Sequence, residues 1–154
     1  MAALFLDTSA LAKLYHPEAG SAFVEDLVLR SGATIIISRL TVVEVQSVFA
    51  RKIRSGAIAA ADSVLLRGLF EEHMANDLFR VIGLTRAHYL GAGELIHRHG
   101  TSLGLRTLDS LQLAVALSLH RRGAVESVVA SDKILCKVAG VEGMPVTDPE
   151  RPPL

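Results

Sequence analysis

A three-layer α/β/α sandwich around a central, mainly parallel sheet of four to five strands is the fold this sequence predicts. Three observations carry that reading. Short apolar runs, several of them β-branched, recur along the chain. Between them lie longer segments with apolar residues three and four apart, the helical spacing. Each link between strands therefore carries a helix, as a parallel pair requires.

Ala3-Leu4-Phe5-Leu6 is apolar, ends at Asp7 and reads as a buried strand. Thr8 and Ser9 can cap a short helix to about Tyr15, stopped by Pro17. Residues 21–30 place Phe23, Val24, Leu27 and Val28 at helical spacing and stop at Gly32. Thr34-Ile35-Ile36-Ile37-Ser38 is the clearest strand, continuous and β-branched, as expected where both sheet faces are covered. Thr41 with Glu44 three residues on matches a capping box, so the next helix is expected to open at Thr41 and end at Gly56. Residues 58–76 read as a long amphipathic helix and residues 79–83 as a weaker strand. A helix from Thr85 is expected to stop at Gly100, and one from Leu108 at Gly123, with Leu111, Val115 and Leu119 on one stripe. Residues 127–130 read as a strand, a short helix follows Asp132, and residues 145–147 offer a last strand. The expected domain is 1–148, with a loose Pro-rich tail over 149–154.

The 154 residues fit one domain, and the 50 % hydrophobic content supplies a sizeable core, the opposite of a disordered composition. Sixteen basic and sixteen acidic residues give a formal net charge of zero, which offers no support for strong nonspecific nucleic-acid binding. A local basic rim around an acidic site remains compatible with that balance. The lone Cys136 excludes an intrachain disulfide, and a reducing cytoplasm is the simplest setting. Residues 1–13 lack a basic leader and carry Asp7 within their apolar run, so they do not read as a signal peptide. No apolar stretch approaches the ~20 residues of a membrane span.

In an open parallel sheet, sites form beyond the carboxyl ends of the strands. Asp7 ends the first strand, Glu44 follows the second, Asp109 opens a long helix, and Asp132 follows the fourth strand. Carboxylates brought together repel and raise one another's pKa, so such a cluster is costly unless a cation neutralises it. Hard oxygen donors suit Mg²⁺ or Mn²⁺ rather than Zn²⁺. Such ions, singly or paired, support in-line displacement at phosphorus, and the expected reaction is phosphodiester hydrolysis. Each acid also has a plainer explanation. Asp7 and Asp132 can simply cap helices, Glu44 can be the capping-box partner of Thr41, and Asp109 a first-turn acid. Asp148 shows that an acid at a strand end can be incidental. The six histidines form no convincing metal set, and there is no Gly-rich phosphate loop or nucleophile elbow.

Four segments, taken in order, closely resemble one known family. They are L-F-L-D7-T-S-A-L-A-K-L-Y with E18-A-G-S, S38-R-L-T-V-V-E44-V, L105-R-T-L-D109-S-L-Q-L-A-V-A-L, and V129-A-S-D132-K-I-L. The sequence is similar to PIN-domain ribonucleases of the VapC type, toxins of VapBC toxin–antitoxin systems, from about Leu4 to Thr147. The resemblance implies a PIN fold in which Asp7, Glu44, Asp109 and Asp132 form the catalytic metal site for Mg²⁺ or Mn²⁺. It implies that Ser9, a small hydroxyl residue beside the first acid, orients a carboxylate or a metal water. It further implies an RNA substrate, often tRNA or another structured RNA, a homodimer, and inhibition by a VapB-type antitoxin. The pattern is broken at one point. Many relatives carry Thr or Ser two residues before the fourth acid, and here Ala130 stands there, which weakens Asp132 as a direct ligand.

Near the strand ends, Arg39 and Arg106 are candidates for RNA phosphate contact, with Arg51, Lys52 and Arg54 further out. A solvated helical face explains the same charges. The 58–76 helix and the Leu27/Val28 face could form an apolar groove for an antitoxin helix, and core packing explains them equally. Two other functions compete: a non-catalytic PIN scaffold that binds protein partners, and an Mg²⁺-dependent phosphotransfer domain. The second is disfavoured by Asp7-Thr8-Ser9, which lacks the D-x-D of haloacid-type phosphatases.

Overall fold

The computed structural model describes residues 2–154. Its elements run β1 (Ala3–Leu6), α1 (Thr8–Leu11), a 3₁₀ turn (Ala12–Leu14), α2 (Ser21–Leu29), β2 (Thr34–Ser38), α3 (Arg39–Arg54) and α4 (Ala60–Ala75). They continue with β3 (Arg80–Ile82), α5 (Arg86–Leu103), α6 (Thr107–Arg121), β4 (Ser127–Val129), α7 (Lys133–Val141) and β5 (Val146–Thr147). The five strands form one sheet in the order β3-β2-β1-β4-β5, and every pairing is parallel. The expected α/β/α sandwich is therefore present, at the upper end of the expected strand count.

Strand alternation builds the two cores. Phe5, Ile36 and Val128 point to the face covered by α5, α6 and α7. Leu6, Ile35, Ile37 and Val129 point to the face covered by α1, α2, α3 and α4. Both faces of β1, β2 and β4 are thus sealed, which is why these strands are continuous apolar runs rather than alternating ones.

Two helix boundaries differ from expectation. Helix α3 opens at Arg39 with Ser38 at the N-cap position, so Thr41 lies inside the helix and Glu44 in its second turn. The T-x-x-E capping box does not form, because Thr41 is buried and its hydroxyl is engaged by Gln112 and Thr8. Helix α5 runs through Gly100 to Leu103 and stops at Gly104, whose φ of +73 is the left-handed cap conformation that glycine takes without strain. Gly100 is retained inside the helix where a Cβ would lie 3.2 Å from Ile96.

The sheet order changes direction at β1. The chain moves out through β2 to β3 on one side, then returns to place β4 and β5 on the other. A crevice at the carboxyl ends of β1 and β4 follows from that reversal. At the opposite terminus, Pro149 is buried beside Gly20, and Glu150 bonds Lys13 at 2.8 Å. Residues 151–154 are exposed. Among the described residues, no helix is long and apolar enough to cross a membrane.

Candidate active site

Asp7 follows β1 directly, and its backbone N–H donates to the Val129 carbonyl of β4 at 3.0 Å. That bond carries the first acid to the switch point of the sheet. Its side chain caps α1: Oδ2 accepts from the Ser9 N–H at 3.0 Å and the Ser9 hydroxyl at 2.6 Å. The capping role and the site role coincide in one carboxylate. Ser9 does more than serve Asp7, since its Oγ also accepts from the N–H groups of Ser131 and Asp132, at 3.0 and 3.3 Å. One hydroxyl thereby ties the β1–α1 junction to the β4–α7 junction.

The other acids arrive from different elements. Glu44 comes from the second turn of α3, Asp109 is the third residue of α6, and Asp132 is the N-cap of α7. Asp132 Oδ1 accepts from the Leu135 N–H at 2.9 Å, so it too combines capping with a place in the site. All four acids line one cleft of about 710 Å³, with Ser9, Thr8, Ser47, Thr107, Arg51 and Arg106. Leu40, Val43, Val48 and Leu108 form its apolar lip.

The electrostatics follow from burial. Asp7 is 5 % exposed. Loss of water pushes its carboxyl from 3.8 up to about 6, with Glu44 and Asp109 adding repulsion and the Ser9 bonds opposing the rise. Asp109 is also raised, by burial and then by Asp132, against the pull of Arg106. Arg106 is 68 % exposed and reaches back over the cleft, bonding Asp109 Oδ2 at 3.1 Å and Asp132 Oδ2 at 3.2 Å. Those carboxylates hold its guanidinium above its usual range, Asp109 first. Of the RNA-contact candidates, Arg106 and Arg51 line the cleft. Arg39 is exposed at the first position of α3 and is not among the lining residues, while Lys52 turns to Glu18 at 3.2 Å.

The sequence gives no functional reading for Gln112 or Ser38, and it offers Thr8 and Thr41 only as helix caps. Gln112 Nε2 donates to Glu44 Oε1 at 2.6 Å and Thr41 Oγ1 at 2.8 Å, and Ser38 donates to Gln112 Oε1 at 2.7 Å. The available signal was a polar amide one helical turn beyond Asp109, within an otherwise apolar stripe. Most histidines are accounted for by protein partners: His99 by Glu142, His73 by Tyr15, His88 by Thr85, His120 by the Val125 carbonyl and His16 by Lys52.

The residues match the model of the PIN domain over 4–141, nearly the whole chain. The chain belongs to the PIN domain family. Among solved structures it is similar to the Mycobacterium tuberculosis toxin VapC20, which cleaves the Sarcin-Ricin loop. That likeness has a TM-score of 0.65 at 18 % identity, covering 97 % of this chain and 99 % of the other. It is also similar to PAE2754 from Pyrobaculum aerophilum, with a TM-score of 0.60 at 19 % identity, covering 97 % and 85 %. At such identities the likeness establishes the fold. A comparison with curated proteins finds no match.

The side chains lining the cleft of this PIN domain have the chemistry of a divalent-cation donor set. All four acidic donors are hard oxygens, and the buried Asp7 charge has no basic partner within bonding distance among the described residues. That chemistry suits Mg²⁺ or Mn²⁺. Among the described residues, no three His, Cys, Asp or Glu side chains already stand close enough together to enclose an ion. Arg106 occupies one oxygen each of Asp109 and Asp132, and Gln112 and Thr8 occupy one of Glu44. The carboxylates fit a cation that takes Arg106's place as their neutralising partner.

Proposed function

We propose that this PIN-domain protein is an Mg²⁺- or Mn²⁺-dependent endoribonuclease and the toxin of a type II toxin–antitoxin pair. One observation carries the reading. Four carboxylates from four separate elements line a single cleft, and the most buried is held up near 6 by the loss of water and by its acidic neighbours. A fold that only needed stability has no use for that arrangement.

Asp7, Glu44, Asp109 and Asp132 would hold the cation. When bound, it lowers the pKa of water and stabilises charge in an in-line displacement at phosphorus. The protein's own groups prepare that chemistry. Ser9 fixes the Asp7 carboxylate and keeps the two strand-end junctions in register. Asp7 must be ionised to act as a donor, so its raised pKa makes the site work better above pH 6 than below it. Arg106 and Arg51 place positive charge at the mouth, where an RNA phosphate enters, and offset the acidic floor in a chain with zero net charge. The likeness to VapC20 and the sequence resemblance support structured RNA, ribosomal or transfer RNA, as the substrate class. The sequence resemblance alone supports a homodimer and a VapB-type antitoxin, and the lone Cys136 supports a reducing cytoplasm. Val64 and Leu65, 70 % and 72 % exposed on α4, offer an apolar face for such a partner.

The deciding experiment maps RNA ends after expression of the wild type and of Asp7→Asn, and repeats the cleavage in vitro with Mg²⁺, Mn²⁺ or a chelator. New ends are expected only with wild type and metal. Full cleavage by Asp7→Asn, or in chelator, rejects the proposal. A non-catalytic scaffold is the second reading, favoured by one fact: Arg106 already neutralises Asp109 and Asp132. A folded wild type that neither cleaves RNA nor gains thermal stability in millimolar Mn²⁺ would select it.

A further inference from the structure

Beneath the cleft lies a polar layer where the surrounding sequence is apolar. Helix α6 buries Leu111, Leu113 and Val115 in the core, and the polar Gln112, between the first two, is itself only 1 % exposed. A buried amide is unfavourable unless both of its ends are bonded. Here both are: Ser38 Oγ donates to Oε1 at 2.7 Å, and Nε2 donates to Glu44 Oε1 at 2.6 Å. Chemistry fixes which end faces which. A carboxylate can only accept, so the amide must turn its NH₂ to Glu44 and its oxygen to Ser38.

Ser38 supports the same conclusion independently. It occupies the N-cap position of α3 with extended backbone, φ −83 and ψ 159, yet its side chain makes no cap bond. A residue well suited to capping has its hydroxyl diverted to Gln112. Thr8 adds a second donor to Glu44 Oε1, at 3.1 Å. Among the described residues, every side-chain bond to the Glu44 carboxylate falls on Oε1 and none on Oε2.

We propose that Gln112 is the positioning residue for Glu44: the Ser38-oriented amide pins Oε1 and leaves Oε2 as the oxygen offered to a divalent cation in the cleft. This inference rests on the metal-dependent reading above. Without Gln112 the glutamate can rotate among several rotamers, and each encounter with a cation must restrict that freedom again. Partners that orient a metal ligand from behind typically change affinity by about 10–100-fold.

The test is calorimetric titration of the full chain with MnCl₂, without RNA. It compares wild type, Glu44→Gln, Gln112→Leu and the double variant, each first shown to be folded by circular dichroism. Gln112→Leu is expected to bind Mn²⁺ at least about tenfold more weakly. The double variant should bind no more weakly than Glu44→Gln alone, because with the carboxylate gone the amide has nothing to position. A merely space-filling amide would leave Mn²⁺ affinity unchanged, or would give penalties that add fully, and either result overturns the inference. Should Gln112→Leu not fold, Ser38→Ala carries the test, since it removes only the hydroxyl that orients the amide. Several-fold weaker Mn²⁺ binding supports the inference and wild-type affinity overturns it. A wild type that binds no Mn²⁺ brings down the metal-dependent reading and this inference together. Normal Mn²⁺ binding in wild type and Gln112→Leu alike removes only the positioning role.

Discussion

Asp7 and Glu142 are both carboxyl groups largely shut off from water, and their surroundings treat them in opposite ways. Glu142 follows α7 and meets two guanidinium groups and an imidazole: Arg98 at 2.8 Å, Arg121 at 3.5 Å and His99 at 2.7 Å. Burial alone would raise its pKa, but the His99 and Arg98 bonds outweigh that and hold it below the usual range. Asp7, at the other end of the α6 layer, has two bonds from Ser9 and otherwise acids for company, and is driven up to about 6. One carboxylate is paired so that the fold gains from its charge. The other is kept short of positive charge, which makes it a liability to the empty fold and an attractive donor to an added cation. Strain of that kind, gathered at one crevice, distinguishes a working site from a structural ion pair.

The largest expected effect breaks the contrast at Asp7. Removing a cation donor forfeits several kcal/mol of charge stabilisation, so Asp7→Asn should lower RNA cleavage more than about a hundredfold in saturating Mg²⁺. The same variant should be more stable than wild type without metal at pH 7.5. A rise of about two pKa units at about 1.36 kcal/mol each sets an upper limit of about 3 kcal/mol. Urea unfolding in chelator measures it, and a less stable Asp7→Asn would mean that the charge is not a burden there.

The pH dependence sharpens the contrast. A carboxyl raised in the folded state binds its proton more tightly than the unfolded chain does. The metal-free fold therefore keeps its full share of stability below about pH 4 and loses it as pH rises through about 6. Glu142 has the opposite sign: its contribution is present above its ordinary pKa of 4.5 and fades as pH falls through its lowered value. Metal-free stability followed from pH 4 to 7 should thus fall in wild type and stay flatter in Asp7→Asn. Added Mn²⁺ should stabilise wild type, by about 2.7 kcal/mol at a hundredfold excess over Kd, and the gain should shrink below pH 6 as Asp7 takes its proton. Equal Mn²⁺ stabilisation at pH 5 and 7.5 would separate Asp7 from the cation.

Smaller effects belong to the paired sites. Glu142→Gln should destabilise by about 1 kcal/mol with cleavage unchanged, because Arg98 and Arg121 stay half in water and the pairs are screened. Removing residues 149–154 should cost a similar amount, since the buried Lys13 would keep Glu18 and lose Glu150. Thermal unfolding checks both. An unfolded truncation would show that the tail is integral to the domain.

Much of this molecule could be read before it was seen folded. Strands β1 and β2 were legible because a strand sealed on both faces needs unbroken apolar residues, and Ala3–Leu6 and Thr34–Ser38 have them. The four acids were legible because each follows a strand or opens a helix. The start of α3 was misplaced because Thr41 and Glu44 satisfy a local capping pattern, and only long-range partners reveal that both are committed elsewhere. The stop at Gly100 failed for a related reason: glycine permits a cap but does not impose one, and packing carried α5 one turn further.

The sequence by itself determined the layered α/β architecture, the family pattern and the four candidate acids, because hydrophobic period and strand-end chemistry are local properties. Only the tertiary structure decided that Ser9 would join two strand ends, that Arg106 would lie across Asp109 and Asp132, and that Gln112 would stand behind Glu44. Apart from the local Arg106–Asp109 bond, those pairings span from 26 to 123 residues of chain. Their bonds exist only once the parallel sheet has brought its carboxyl ends to one edge.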